Sequence, residues 1–289
     1  MYEKLEACPT CKNTQFSNYL ICTDHCVSEE SFALIKCSKC ELVFTNPRPT
    51  EDKLPGYYQS EEYISHTNKA TSPINLIYKI VRNYTLKQKL KLLNSLSDKG
   101  TILDYGCGTG NFLHTCKQSG WNTYGYEPDT KAKSLAIEND IQIVNSLKEI
   151  HQEIDVISAW HVIEHVNKLR ETLKKLRSLL KKGGFMIIAV PNIQSLDAKH
   201  YREYWAAYDV PRHLYHFSQQ SFGKLIAKSK LSLVDTLPMK FDAYYVSMLS
   251  ERYKTGKNNY LKAIDIARRS NTEAIKTGEY SSLIYILQK

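Results

Sequence analysis

The sequence has no long apolar run. Nothing in it approaches the roughly 20 residues that a membrane-spanning helix needs. The stretch from Met1 to Lys12 is polar and charged, without the apolar centre of a secretory signal. These two absences predict a cytoplasmic chain with no membrane partner. Internal repeats and low-complexity tracts are also missing. What is present is 289 residues with 42% hydrophobic content, which argues against disorder and suffices for one α/β domain plus a small appendage. The formal net charge of +9 favours anionic partners, such as nucleotide-linked sugars, phosphorylated metabolites or nucleic acid. Lys174, Lys175, Arg177, Lys181 and Lys182, however, read as the solvated face of one helix, so a nucleic-acid partner is not expected.

The chain divides into three predicted regions. Residues 1–50 hold six of the eight cysteines and end at Asn46-Pro47-Arg48-Pro49. Residues 51–98 are rich in tyrosine and begin a helix at Ser72-Pro73, with Leu86, Leu90, Leu93 and Leu96 at helical spacing. From 99 to 289, strand-like runs at 101–105, 122–126, 141–144, 154–159 and 185–190 alternate with helices near 110–119, 129–139 and 168–182. The last helix is expected to stop at Gly183-Gly184. Such alternation builds a parallel sheet with helices on both faces. A polar, aromatic insertion at 192–217, a helix at 218–229, a strand at 231–237, two helices within 241–278 and a final strand at 282–287 complete the pattern.

The most informative stretch is Thr101-Ile102-Leu103-Asp104-Tyr105-Gly106-Cys107-Gly108-Thr109-Gly110. A buried strand runs into three glycines and then a helix, so a ligand can lie against bare backbone and free N–H groups. The spacing is G-x-G-x-G; Asn111 stands where a dinucleotide fingerprint has its third glycine. Glu127, in Tyr126-Glu127-Pro128-Asp129, ends the second strand, where a carboxylate can accept both ribose hydroxyls. Together these residues resemble the class I S-adenosylmethionine (SAM)-dependent methyltransferases. Asp104, Tyr105, Gly106, Cys107, Gly108 and Gly110 match that family's first motif. Glu127 with Pro128 matches its ribose-binding acid, Asn145-Ser146 its adenine-bordering loop, and Trp160-His161 the end of its fourth strand. The resemblance covers about residues 97–289. It implies a Rossmann-like seven-stranded sheet with an antiparallel last strand, SAM as cofactor and methyl transfer as activity.

Cys8-Pro9-Thr10-Cys11 and Cys37-Ser38-Lys39-Cys40 are two C-x-x-C knuckles with 25 residues between them. They supply four thiolates for a tetrahedral, structural zinc, and so a zinc-ribbon-like module. Cys22, His25 and Cys26 are rival ligands at less regular spacing. His161-Val162-Ile163-Glu164-His165 reads as H-x-x-E-H, an inverted zinc-protease pattern, but it starts at a strand end instead of lying on a helix. It resembles the segment after the fourth strand of many class I methyltransferases. Some ubiquinone-pathway O-methyltransferases bind a divalent metal through a related segment with Glu at the position of His161; this chain lacks that Glu, so no second metal is carried over.

Beyond the fifth strand lies Trp205 to Ser218, which concentrates Tyr208, Asp209, Arg212, His213 and His216. Its Pro-Arg-His-Leu-x-His-Phe-Ser core resembles zinc-ribbon bacterial methyltransferases. His213 and His216, expected on one face of a helical turn, are candidate bases for an acceptor proton, with His165 beside them. Arg212 is a candidate grip on a phosphate or carboxylate. Tyr58, Tyr63 and His66 are candidates for a lid over the site, alongside Tyr208 and Asp209. The expected function is methyl transfer to a small molecule, with a sugar, glycan precursor or other anionic metabolite as acceptor. Two alternatives stand beside it: a nucleic-acid methyltransferase gripping RNA with its zinc module, and a SAM-binding scaffold without catalysis.

Overall fold

The structure is a computed structural model that describes residues 1–58 and 73–289, with side chains described from residue 80 onward in the first long helix. Tyr63 and His66 lie outside the described residues. Five strands run in parallel: β6 (Thr101–Tyr105), β7 (Asn122–Tyr126), β8 (Gln142–Val144), β9 (Ile154–Trp160) and β10 (Leu180–Pro191). Strand β13 (Ser282–Gln288) is antiparallel both to β10 and to β12 (Ser232–Pro238). The order is β12-β13-β10-β9-β6-β7-β8, the expected seven-stranded sheet with a reversed last strand. Chain direction across the sheet reverses between β6 and β9, and in open sheets a crevice forms at that point beyond the strand ends.

The helices form where apolar spacing and caps permit. They are α1 (Pro73–Leu96), α2 (Asn111–Gln118), α3 (Thr130–Glu138), α4 (Leu169–Leu179), α5 (Leu196–Tyr201), α6 (Gln219–Ile226), α7 (Asp242–Thr255) and α8 (Tyr260–Thr277). Helix α4 buries Leu169, Leu173 and Leu176; α6 opens with a capping box in which Ser218 and Ser221 satisfy each other's backbone. Helix α4 ends at Leu179, short of the predicted Gly183-Gly184 stop. Leu180 already pairs with Ile154, and the chain bulges before Phe185 takes up register with Val156. Sheet pairing therefore ends the helix before the glycines are reached. No described helix is long and apolar enough to cross a membrane.

The cysteine-rich region forms a second sheet from β2 (Phe16–Thr23), β3 (Ser31–Cys37) and β4 (Val43–Thr45), beside a short β1–β5 pair (Tyr2–Glu3 with Arg48–Pro49). Its last strand comes from the far end of the sequence. Strand β11 (Tyr215–His216) pairs antiparallel with β4, placing Tyr215 opposite Phe44. Cys8, Cys37, Leu42 and Phe44 belong to the same buried apolar cluster as Ile157, Ile188, Leu214 and Phe217. The insertion at 192–217 is thus largely buried and joins the two sheets, against its expected polar character.

Candidate active site

Near the end of β6, Asp104 is 3% exposed and accepts a hydrogen bond from Ser158 Oγ at 2.6 Å. Burial pushes its pKa up to about 7, against that hydrogen bond and the charge of Lys89. The chain then turns through Gly106, Gly108 and Gly110, with φ of +78°, +53° and +76°, a region side chains disfavour. At Gly106 an added Cβ would also meet Val162 Cγ2 at 2.5 Å, so this glycine lets the segment after β9 lie directly on the turn. Gly108 N–H donates to Glu127 Oε2 at 2.8 Å, and Asp129 N–H to Glu127 Oε1 at 2.9 Å. The Glu127 carboxylate is thereby fixed at the mouth of the glycine turn, with burial raising its pKa.

Lys89 faces the same crevice from α1, and the sequence reading missed it. Its Nζ lies 4.1 Å from the centroid of the Trp160 indole. Burial lowers its pKa to about 8, while the charges of Asp104 and Asp242 act to hold the proton. The available signal was its place between Leu86, Leu90 and Leu93, on the apolar side of α1. Trp160 Nε1 is buried without a partner among the described residues. Tyr105 stacks on Tyr126 at 4.9 Å. Cys107 is 8% exposed, and burial raises its pKa, which suits a spacer better than a nucleophile. At the outer rim, Pro128 and Asn145 are exposed; Asn145 is bonded by Lys133, and Ser146 caps a short turn.

His161 was expected to face the cofactor, but both of its ring nitrogens are engaged by acids. Nδ1 is 3.3 Å from Glu164 Oε1 and Nε2 is 2.9 Å from Asp242 Oδ2. Burial disfavours its charge, yet bonds to Asp242 and Glu164 prevail and raise its pKa to about 10. Held at φ +55°, this imidazolium ties the end of β9 to the start of α7.

The insertion brings His213 to His165, with ring centroids 4.5 Å apart. His213 Nδ1 lies 2.8 Å from Ala207 O, and His165 Nδ1 lies 3.1 Å from Arg212 O and 3.0 Å from Tyr58 Oη. His213 and His216 do not share a helical face, because residues 215–216 form β11. His216 is 3% exposed, bonded at Nε2 to Thr45 Oγ1 and packed against Tyr208. Burial and the nearby His213 hold its pKa well below the usual imidazole range. Arg212 is 1% exposed. Its donors go to Asp24 Oδ1 (2.9 Å), Asp209 Oδ1 (2.7 Å) and Tyr57 O (2.8 Å). The guanidinium expected to grip a substrate anion is instead a buried tie between the insertion and the cysteine-rich sheet. Asp209 also reaches within 3.8 Å of His213 Nε2, and the buried Tyr208 hydroxyl bonds Tyr19.

Cys8, Cys11, Cys37 and Cys40 bring their sulfurs within 4.8 Å of one another. The two knuckles are built alike: Lys12 N–H returns to Cys8 O and Glu41 N–H to Cys37 O, each 3.0 Å, with Lys12 and Glu41 at positive φ. Cys22 and Cys26 stand apart; Cys26 Sγ instead lies 3.0 Å from Tyr253 Oη.

Residues 78–236 match the family described as "Methyltransferase domain". A ubiquinone biosynthesis O-methyltransferase of Rickettsia bellii (strain OSU 85-389) is 33% identical over 121 residues, 38% of this chain and 49% of that protein. The same-named protein of Haemophilus ducreyi is 28% identical over 140 residues, 43% of this chain and 57% of that one. The chain thus spans about half the length of these curated relatives. Among solved structures, magnesium protoporphyrin IX methyltransferase (ChlM) from Synechocystis PCC 6803 with bound S-adenosylhomocysteine superposes with a TM-score of 0.56 at 13% identity. It covers 83% of this chain and 100% of that one. Mycolic acid cyclopropane synthase CmaA1 gives 0.51 at 14% identity, covering 70% and 83%. At such identities these structures establish a shared fold.

Proposed function

Since the chain belongs to the methyltransferase-domain family, we propose that it transfers a methyl group from SAM to a hydroxyl oxygen of a small-molecule acceptor. The observation that carries this reading is the Glu127 carboxylate fixed by Gly108 N–H at the mouth of the glycine turn. A carboxylate there is placed to exchange backbone donors for ribose hydroxyls, and at Gly108, where an added Cβ would meet nothing within 4 Å, the main chain is open to a nucleoside. Lys89, lying over Trp160 near Asp104 and Asp242, is the cation for the cofactor's carboxylate. Asn145 and Ser146 border the outer, adenine end. SAM, when bound, supplies an electrophilic methyl on a sulfonium.

The residues of the chain then align an acceptor and ease loss of its proton. His165 and His213 meet at the end of the crevice walled by Val162, and their Nδ1 atoms are occupied by backbone carbonyls. Nε2 of each is therefore the atom left for the acceptor's chemistry. Cys8, Cys11, Cys37 and Cys40 suit a tetrahedral zinc with no open position, hence a structural role. Titration calorimetry with SAM tests the reading: the chain should bind it, and Glu127→Ala should weaken binding at least about tenfold through loss of charge-assisted hydrogen bonds. Binding of a nicotinamide dinucleotide in place of SAM would overturn it. Release of S-adenosylhomocysteine over a panel of hydroxylated metabolites then identifies the acceptor.

A further inference from the structure

Glu164 is 0% exposed, and only one of its carboxylate oxygens is matched. Oε1 faces His161, whereas Oε2 is buried with no hydrogen-bond partner among the described residues. An ionised oxygen in the interior calls for a proton donor or a cation. One ligand atom each from Glu164, His165 and His213 falls within a 4.8 Å group. The carbonyls of Arg212 and Ala207 can only accept, so His165 and His213 carry their protons on Nδ1 and present bare Nε2 atoms. Asp209 Oδ2, 3.8 Å from His213 Nε2, adds a further acceptor. The nearest positive charge, on His161, is already shared between Oε1 of Glu164 and Asp242.

We propose that Glu164, His165 and His213 together bind one divalent transition-metal ion, separate from the ion of the four cysteines. Two imidazoles and one carboxylate suit Mn²⁺, Fe²⁺, Co²⁺ or Zn²⁺ better than Mg²⁺ or Ca²⁺, which prefer oxygen donors throughout. Backbone carbonyls on both Nδ1 atoms are the outer-sphere contacts that orient ligating histidines. The donor set differs from the segment of ubiquinone-pathway enzymes that it resembles. Position 161 is not a Glu here but an imidazolium tied to Asp242, and the third donor comes from the insertion some fifty residues on. Val162, between these donors and Gly106, sets the site beside the cofactor crevice. On the methyltransferase reading, an ion there would hold and acidify an acceptor hydroxyl; the binding site itself does not depend on that reading.

The test uses the full chain with its cysteine site preloaded with zinc, and Mn²⁺ as probe, followed by loss of the free-ion electron paramagnetic resonance signal. One Mn²⁺ should bind per chain. Glu164→Gln, His165→Gln and His213→Gln should each weaken it at least about tenfold, while His200→Gln, remote from the cluster, should not. Three separate substitutions keep the test decisive if one of them misfolds, as judged by circular dichroism. Absence of Mn²⁺ binding to the wild type, or equal binding to all folded variants, overturns the proposal and leaves a buried water as the occupant. Calorimetry with SAM on the same samples separates the two readings: SAM without Mn²⁺ binding refutes only the metal site, and Mn²⁺ without SAM binding refutes only the methyltransferase.

Discussion

Lys89 shows how far a single side chain can escape a reading of the sequence. Among 39 lysines and arginines its local mark is only its place among the leucines of α1; its surroundings arise because α1 sets it over Trp160, near Asp104 and Asp242. Lys89→Met should weaken SAM at least about tenfold while leaving 5′-methylthioadenosine, which has no carboxylate, almost unaffected, since a charge-assisted contact of about 1.5–3 kcal/mol is lost only with the former. With a pKa of about 8, Lys89 loses its charge as pH rises, so SAM affinity should fall above about pH 8. Lys89→Arg should flatten that fall, because guanidinium stays charged. Calorimetry across pH checks both. His216 titrates with the opposite consequence. Its imidazole is buried neutral, whereas the unfolded chain takes up a proton below about 6.5. Its contribution to stability is therefore present above pH 6.5 and lost as pH falls. Urea unfolding at pH 7 and pH 5 should show this loss, and His216→Gln should diminish it.

At the scale of elements, the glycine turn and the insertion contrast sharply. The turn was legible because its function needs residues in a fixed local order: strand, glycines, helix, and an acid at the end of the next strand. The insertion was legible only as a concentration of chemistry. Read as a polar, aromatic segment carrying candidate site residues, it is in fact buried at Arg212, His213 and His216, because partners from distant segments such as Asp24, Thr45 and Tyr57 meet it. Arg212→Met should cost about 3–5 kcal/mol in urea unfolding, since it strands the carboxylates of Asp24 and Asp209. A change confined to acceptor affinity, with stability intact, would return Arg212 to the substrate. The early end of α4 has the same origin, because Leu180 is claimed by β9 through pairing that spans the sheet.

Over the whole molecule, the cysteine-rich region is packed into the same scaffold as the candidate active site. Strand β11 follows His213 closely and pairs with β4, so the histidine end of the candidate active site is continuous with the sheet of the cysteine-rich region, and the two share one apolar cluster. Chelating the zinc should therefore abolish turnover while SAM affinity stays close to its original value, because the glycine turn belongs to the other sheet. Metal analysis, calorimetry and product release on the chelated protein measure the three quantities. Parallel loss of SAM binding would show instead that the two sheets unfold as one.

The sequence by itself determined the parts whose chemistry is local. These are the alternating strands and helices, the turn at Gly106–Gly110 with Glu127 behind it, and the paired cysteine knuckles, where spacing along the chain sets the geometry. Only the tertiary structure decided which charges meet. It gave His161 to Asp242, Arg212 to Asp24 and His213 to His165, and it set Lys89 over Trp160. Side-chain ionisation and metal affinity depend on burial and on neighbours a few ångströms away, and those neighbours are brought together by folding from positions far apart in the chain.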